Sequence, residues 1–126
     1  MKITYKAVLL NPESKSKLMA TFPPSFDETF YHHMTIQFGI KSIESDVGTE
    51  AELKVIGYAR DDKGEAVVVE GVPRADGKIP HITLSVAPGV KPVYSNELVK
   101  AGWKPVDGPA LKGVIAYFTD RGWVTK

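Results

Sequence analysis

The chain has 126 residues, 43% of them hydrophobic and 25% charged, which fits one globular domain and excludes a disordered chain or a second sizeable domain. Sixteen Lys and Arg against fifteen Asp and Glu leave a formal net charge of +1, so there is no basic field to coat duplex nucleic acid, although the balance allows a small ligand or a short stretch of nucleic acid held in a local patch. The absence of cysteine rules out disulfides, thiolate metal sites and a cysteine nucleophile, and is compatible with a reducing cytoplasm.

The predicted elements are mostly strands. ITYKAVLL (3–10) is β-rich and ends at the Asn11-Pro12 turn signal; Lys6 interrupts its apolar residues, so it reads as a strand rather than a secretory signal. PESKSKLMATF (12–22) predicts a short helix with Asn11 as N-cap and Pro12 at its first position, stopped by Pro23-Pro24. HMTIQF (33–38) is a strand closed by Gly39, and 41–50 is a polar loop. AELKVIGYAR (51–60), DDKG (61–64) and EAVVVEGV (65–72) predict a hairpin, and PRADGK (73–78) a further turn. HITLSVA (81–87) is a strand that tolerates Pro80 at its start. SNELVKAG (95–102) predicts a brief helix capped by Ser95 and stopped by Gly102. LKGVIAYFT (111–119) is a strong strand, and DRG (120–122) turns it into a short terminal one. Six or seven strands and one or two short helices make an α+β domain dominated by antiparallel sheet. No apolar run approaches the ~20 residues that span a bilayer, so no membrane partner is expected.

Only three histidines occur, all in HHMTIQFG (32–39) and PHITLSVAPG (80–89). Two of them open the same phrase of histidine, apolar, threonine, apolar: His33-Met34-Thr35-Ile36 and His81-Ile82-Thr83-Leu84. Strand side chains alternate between faces. His33, Thr35 and Gln37 therefore share one face, and Met34, Ile36 and Phe38 the other. In the second strand His81, Thr83 and Ser85 oppose Ile82, Leu84 and Val86. One amphipathic strand bearing a histidine is ordinary; two in identical frame point to a shared site. Two imidazoles titrating near neutrality can act as general base and general acid. That pairing suits in-line displacement at phosphorus, with threonine hydroxyls donating to the non-bridging oxygens, and the scheme needs no metal or other cofactor.

The paired His-x-Thr-x phrases resemble the signature of the 2H phosphoesterase superfamily. The run HITLSVAPGVKPVYSNEL (81–98) is also similar to the segment after the second motif in the cyclic phosphodiesterase domain of tRNA ligases. The resemblance runs from the first strand through SNEL. It implies two pseudo-symmetric α+β lobes facing each other across a central cleft, each contributing one motif strand. It also implies a metal-independent phosphodiesterase, with His33, Thr35, His81 and Thr83 as catalytic residues. The substrate classes implied are RNA-derived 2′,3′-cyclic phosphates, 2′-5′ oligonucleotides and the cyclic oligonucleotides that some phage members destroy. The motif histidines are only 48 residues apart (81 − 33), so the expected scaffold is a compact version of that bilobal fold.

Beyond the motifs, Lys91, Tyr94 and Ser95 lie in a loop just after the second motif strand. Loops of this kind carry binding residues: Lys91 would meet phosphate and Tyr94 would stack on a base, the plainer reading being a solvated lysine and a capped turn. His32 has the opposite strand parity to His33 and should point away from the cleft or sit at the strand's entry. Tyr31, Phe38, Trp103 and Trp123 are candidates for base stacking, with core packing expected for Phe38 by parity and for both tryptophans. Arg60 and Arg74, near turns, read as solvated charges. A non-catalytic nucleotide- or RNA-end-binding module using the same cleft is the alternative. A histidine-ligated metal site lacks enough ligands.

Overall fold

Apolar side chains that recur at every second position produce the strands. In the computed structural model, which describes residues 1–126, these are β1 (Ile3–Leu10), β2 (Glu28–Thr29), β3 (His33–Phe38), β4 (Glu50–Arg60), β5 (Gly64–Glu70), β6 (His81–Val86), β7 (Lys104–Pro105), β8 (Ala110–Thr119) and β9 (Gly122–Val124). Helix α1 (Pro12–Thr21) follows β1, and α2 (Tyr94–Ala101) follows β6. The α+β expectation holds, with β2 and β7 added; at two residues each they are too short to show a period.

Six strands pair antiparallel in the order β4-β5-β6-β3-β1-β8, and β8 pairs back onto β4, so the sheet closes as a barrel. Closure removes the open edges along which sheets associate. The barrel consists of two three-stranded units, β8-β1-β3 and β4-β5-β6, joined by a long β4–β8 pairing on one side. On the other side β3 and β6 meet through one registered pair, Met34 and Ile82.

The interior holds the apolar alternates of these strands, among them Val8, Met34, Ile36, Val55, Val67, Ile82, Leu84 and Tyr117, with Leu18 of α1 joining them. A smaller cluster lies on the outer wall, where Leu98 and Val99 of α2 cover Ala59, Ala66 and Val68. Met34, Ile36, Ile82 and Leu84 of the motif strands thus lie in the barrel, and His33, Thr35, His81 and Thr83 face outward. Ser85, expected on the polar face with His81 and Thr83, is instead fully buried after a register shift between β5 and β6 and bonds to Glu65. Asn11 caps α1 as expected, its side chain accepting from the Ser14 N–H at 2.8 Å. Ser95 does not cap α2: Val93 holds the cap position, without a side-chain bond.

Two irregularities flank the first motif. Tyr31 has φ of +62°, a left-handed backbone unusual for a bulky residue, so strand alternation begins afresh at His33. Further on, Ala7 pairs with Thr35 while Lys6 pairs with Gln37, which leaves Ile36 as a bulge. The bulge shifts the frame, so Phe38 pairs with Tyr5 on the outer wall and is 54% exposed. Its expected place in the core is corrected accordingly.

Candidate active site on the outer wall of the barrel

The β3–β6 seam sets the geometry. His33 and Thr35 flank Met34, and His81 and Thr83 flank Ile82. Antiparallel pairing of the two central residues puts His33 on the Thr83 side and Thr35 on the His81 side. A local two-fold through the seam thus relates the two phrases. All four side chains line one cavity of about 300 Å3 on the outer wall, bounded also by Tyr5, Phe30, His32 and Phe38 and by Arg74, Pro92, Val93 and Asn96. A larger hollow of about 480 Å3, bordered by Leu10, Asn11, Glu50 and Lys112, contains no imidazole.

Each histidine is held differently. His81 is buried, and its Nδ1 lies 2.8 Å from the Ile79 carbonyl. A carbonyl only accepts, so Nδ1 carries the hydrogen and Nε2 is left for chemistry. Burial lowers the basicity of His81; the Ile79 contact and Asp76 favour its charged form, and Arg74 opposes it. His33 is stacked on Tyr5, with ring centroids 5.0 Å apart and planes 18° from parallel, and Trp123 lies tilted against it at 5.4 Å. Phe118 backs the other face of Tyr5 at 5.4 Å. This aromatic packing desolvates His33 and, with the neighbouring His32 and His81, pushes its pKa down to about 3. His33 is neutral at pH 7 as a result, and burial favours the neutral form of His81 as well.

Thr83 Oγ1 lies 2.9 Å from Ser95 Oγ and 3.4 Å from the Pro92 carbonyl. Ser95 itself is fully enclosed, so it touches the site through Thr83. The other loop candidates lie elsewhere. Lys91 is exposed and outside the cavity lining. The Tyr94 hydroxyl bonds to Asp61 and the Lys63 ammonium lies 5.6 Å from its ring, so Tyr94 faces the β4–β5 turn instead of the cavity.

Three residues that parity or turn position placed outside the site are in or at it. His32 sits at the entry to β3, one of its two expected placements, and lines the cavity because the left-handed Tyr31 interrupts the alternation on which an outward placement rested. Arg74, expected to be solvated, is 7% exposed. Its Nε and Nη2 donate to the two carboxylate oxygens of Asp76 at 3.1 and 2.8 Å, and Nη1 donates to Asn96 Oδ1 at 3.1 Å. The Ala75 N–H donates to the Ile36 carbonyl at 2.9 Å, clipping the β5–β6 loop onto β3 and carrying Arg74 across the seam. Phe38 reaches the cavity through the bulge. The one available sequence signal for Arg74 was the Arg-x-Asp spacing before a glycine, a turn that can fold a guanidinium back onto its own carboxylate.

Of the other stacking candidates, Tyr31 is fully buried and its hydroxyl donates to the Phe22 carbonyl at 2.6 Å, so it is a core residue. Trp103 is 38% exposed, over Gly57 on β4 and away from the cavity, rather than in the core. Trp123 is half-buried in the aromatic cluster behind His33. Arg60 lies near the Phe26 ring, on the surface. No group of three or more His, Cys, Asp or Glu side chains converges closely enough to hold a metal ion, and no helix is long and apolar enough to cross a membrane. Compared with family models, curated proteins and solved structures, the chain matches none.

Proposed function

We propose that the chain is a metal-independent phosphodiesterase of the 2H phosphoesterase kind, with the two three-stranded units of the barrel serving as its two lobes. One observation carries this reading: two His-x-Thr phrases, related by a local two-fold about Met34 and Ile82, line a single cavity. The substrate is a nucleotide or RNA end bearing a 2′,3′-cyclic phosphate, a 2′-5′ linkage or a cyclic oligonucleotide diester.

One motif imidazole takes a proton from the attacking oxygen, which is water or, for a 3′-5′ linkage, the adjacent 2′-hydroxyl. The other motif histidine takes up a proton as the anionic substrate binds and gives it to the departing oxygen. The bond from phosphorus to the attacking oxygen forms as the bond to the leaving oxygen breaks. Thr35 and Thr83 donate to the non-bridging oxygens; the Thr83 hydroxyl, which donates to Ser95 Oγ in the free protein, turns to the phosphate when substrate binds. Arg74, oriented by Asp76 and Asn96, supplies positive charge as the phosphorane builds up negative charge. An anionic substrate in the cavity also favours the imidazolium of whichever histidine acts as the acid.

The test is a product assay across 2′,3′-cyclic nucleotides, 2′-5′ oligoadenylate and cyclic dinucleotides. Turnover should persist in EDTA and show a bell-shaped pH profile. His33→Ala and His81→Ala should each lower kcat by about 10²–10⁴-fold. Full activity in either variant would sink the assignment. Tight binding without product would favour a binding module in the same cavity.

A further inference from the structure

The scheme above makes no use of His32, although its ring borders the same cavity. The Nδ1 atoms of His32 and His33 are 2.7 Å apart. The rings are 19° from parallel with centroids 4.7 Å apart. Rings stacked face to face keep about 3.5 Å between planes, so a nitrogen contact of 2.7 Å means that they meet edge to edge. Two lone pairs facing each other repel; one nitrogen must carry a hydrogen and the other accept it. His81 rests against a carbonyl, which fixes one tautomer. His33 rests against a second imidazole, which can donate or accept.

We propose that His32 is a positioning residue for His33 that also relays its proton between the cavity and solvent. The inference rests on the phosphodiesterase reading only for the use to which the proton is put. At rest, His33 Nδ1–H donates to His32 Nδ1, leaving His33 Nε2 as the base. When Nε2 takes a proton, the Nδ1 hydrogen crosses the 2.7 Å contact to His32. His33 is then neutral with its hydrogen on Nε2, and the positive charge is on His32. Loss of the His32 Nε2 proton to water completes the transfer: one proton has entered from the cavity and one has left to solvent. The aromatic packing that disfavours a cation on His33 is the reason such a route matters.

The groups facing the pair support this direction. Tyr5 of β1 stacks on His33, His81 of β6 acts on it across the seam, and Arg74 of the β5–β6 loop, paired with Asp76, lines the same cavity. Burial, and after it Lys15 of α1, oppose a lasting charge on His32, which favours release of the proton. Phe30 and Trp123 sit edge-on to the His32 ring at 6.0 and 6.5 Å and hold it in place.

The test is ring-nitrogen NMR of 15N-histidine-labelled protein across pH, in the wild type, His32→Asn and His32→Phe. In the wild type, His32 and His33 should titrate as a coupled pair and show one downfield ring N–H signal. In His32→Asn the amide oxygen can hold the His33 hydrogen but takes no proton, so His33 should keep a single Nδ1–H tautomer and titrate alone. In His32→Phe the downfield signal should disappear. With a 2′,3′-cyclic nucleotide as probe, kcat of His32→Asn should fall about tenfold or more at unchanged KM. Unchanged His33 ring shifts and titration in both variants would overturn the proposal. If the wild type turns over none of the phosphodiesters, the proposed function falls, while the ring spectra still decide the role of His32.

Discussion

An imidazole stripped of water loses basicity, and all three histidines of this chain are in that position. For His33 the value falls from 6.5 to about 3. In the unfolded chain the same groups take up protons near pH 6.5. Between pH 6.5 and about 3 the unfolded state therefore binds more protons, and stability is lost as pH falls through that window. The melting temperature should decline from pH 7 to pH 4, and more gently in His33→Phe, which keeps a ring against Tyr5 but cannot titrate; thermal melts across pH would show it. Arg74 gives a second prediction at this scale. Its fork meets Asp76 twice and Asn96 once, a geometry an ammonium cannot reproduce. Arg74→Lys should keep the charge but lower kcat/KM about 10–100-fold, the worth of one or two charge-assisted hydrogen bonds. Activity equal to wild type would remove Arg74 from the site.

At the scale of elements, the chain is a lesson in where strand alternation can be trusted. Met34, Ile36, Ile82 and Leu84 fall inside the barrel, and His33, Thr35, His81 and Thr83 outside it, because each run between irregularities keeps strict period two. His32 and Phe38 lie just beyond those runs. A left-handed tyrosine and a one-residue bulge, neither marked by glycine or proline, shift the frame on each side of the first motif. Arg74 was hidden for another reason: its burial depends on a long-range clip between the Ala75 N–H and β3, which no local pattern encodes. Barrel closure through β4 and β8 is equally non-local. The helices divide along the same line. Asn11 caps α1 from within its own turn, whereas Ser95 is taken by Thr83 from another element. Asn11→Ala should therefore cost about 1 kcal/mol of stability and leave kcat intact. Ser95→Ala should lower kcat through Thr83 without loosening a cap. Denaturant titration and steady-state kinetics on both variants separate the two roles.

On the scale of the whole molecule, one fully buried carboxylate links the interior of the fold to the motif strands. Glu65 on β5 accepts from the Tyr58 hydroxyl of β4 at 2.6 Å, from the Ser25 N–H at 2.6 Å and hydroxyl at 3.2 Å, and from the Ser85 hydroxyl of β6. The Ser85 oxygen accepts in turn from the Phe26 N–H at 3.2 Å. Four hydrogen bonds to one carboxylate thus fasten the segment after α1 to the sheet. That segment continues through β2, paired to β6, into Tyr31 and His32. Placement of the first motif therefore depends on an anchor that no ligand touches. Removing this acceptor leaves the Tyr58, Ser25 and Ser85 donors without partners in the interior, at about 1–3 kcal/mol for a buried group so stranded. Such a loss is a large share of the roughly 5–15 kcal/mol that stabilises a typical domain. Glu65→Ala should show it in urea titration. Glu65→Gln keeps the volume but turns one acceptor into a donor, so it should fold with an intermediate loss. In that variant the His32–His33 ring signals should broaden as the anchored segment loosens, while the His81 Nδ1–H signal, held by Ile79 on the far side of the seam, stays sharp. Equal sharpness of all three histidines in Glu65→Gln would show that the segment keeps its place without the carboxylate.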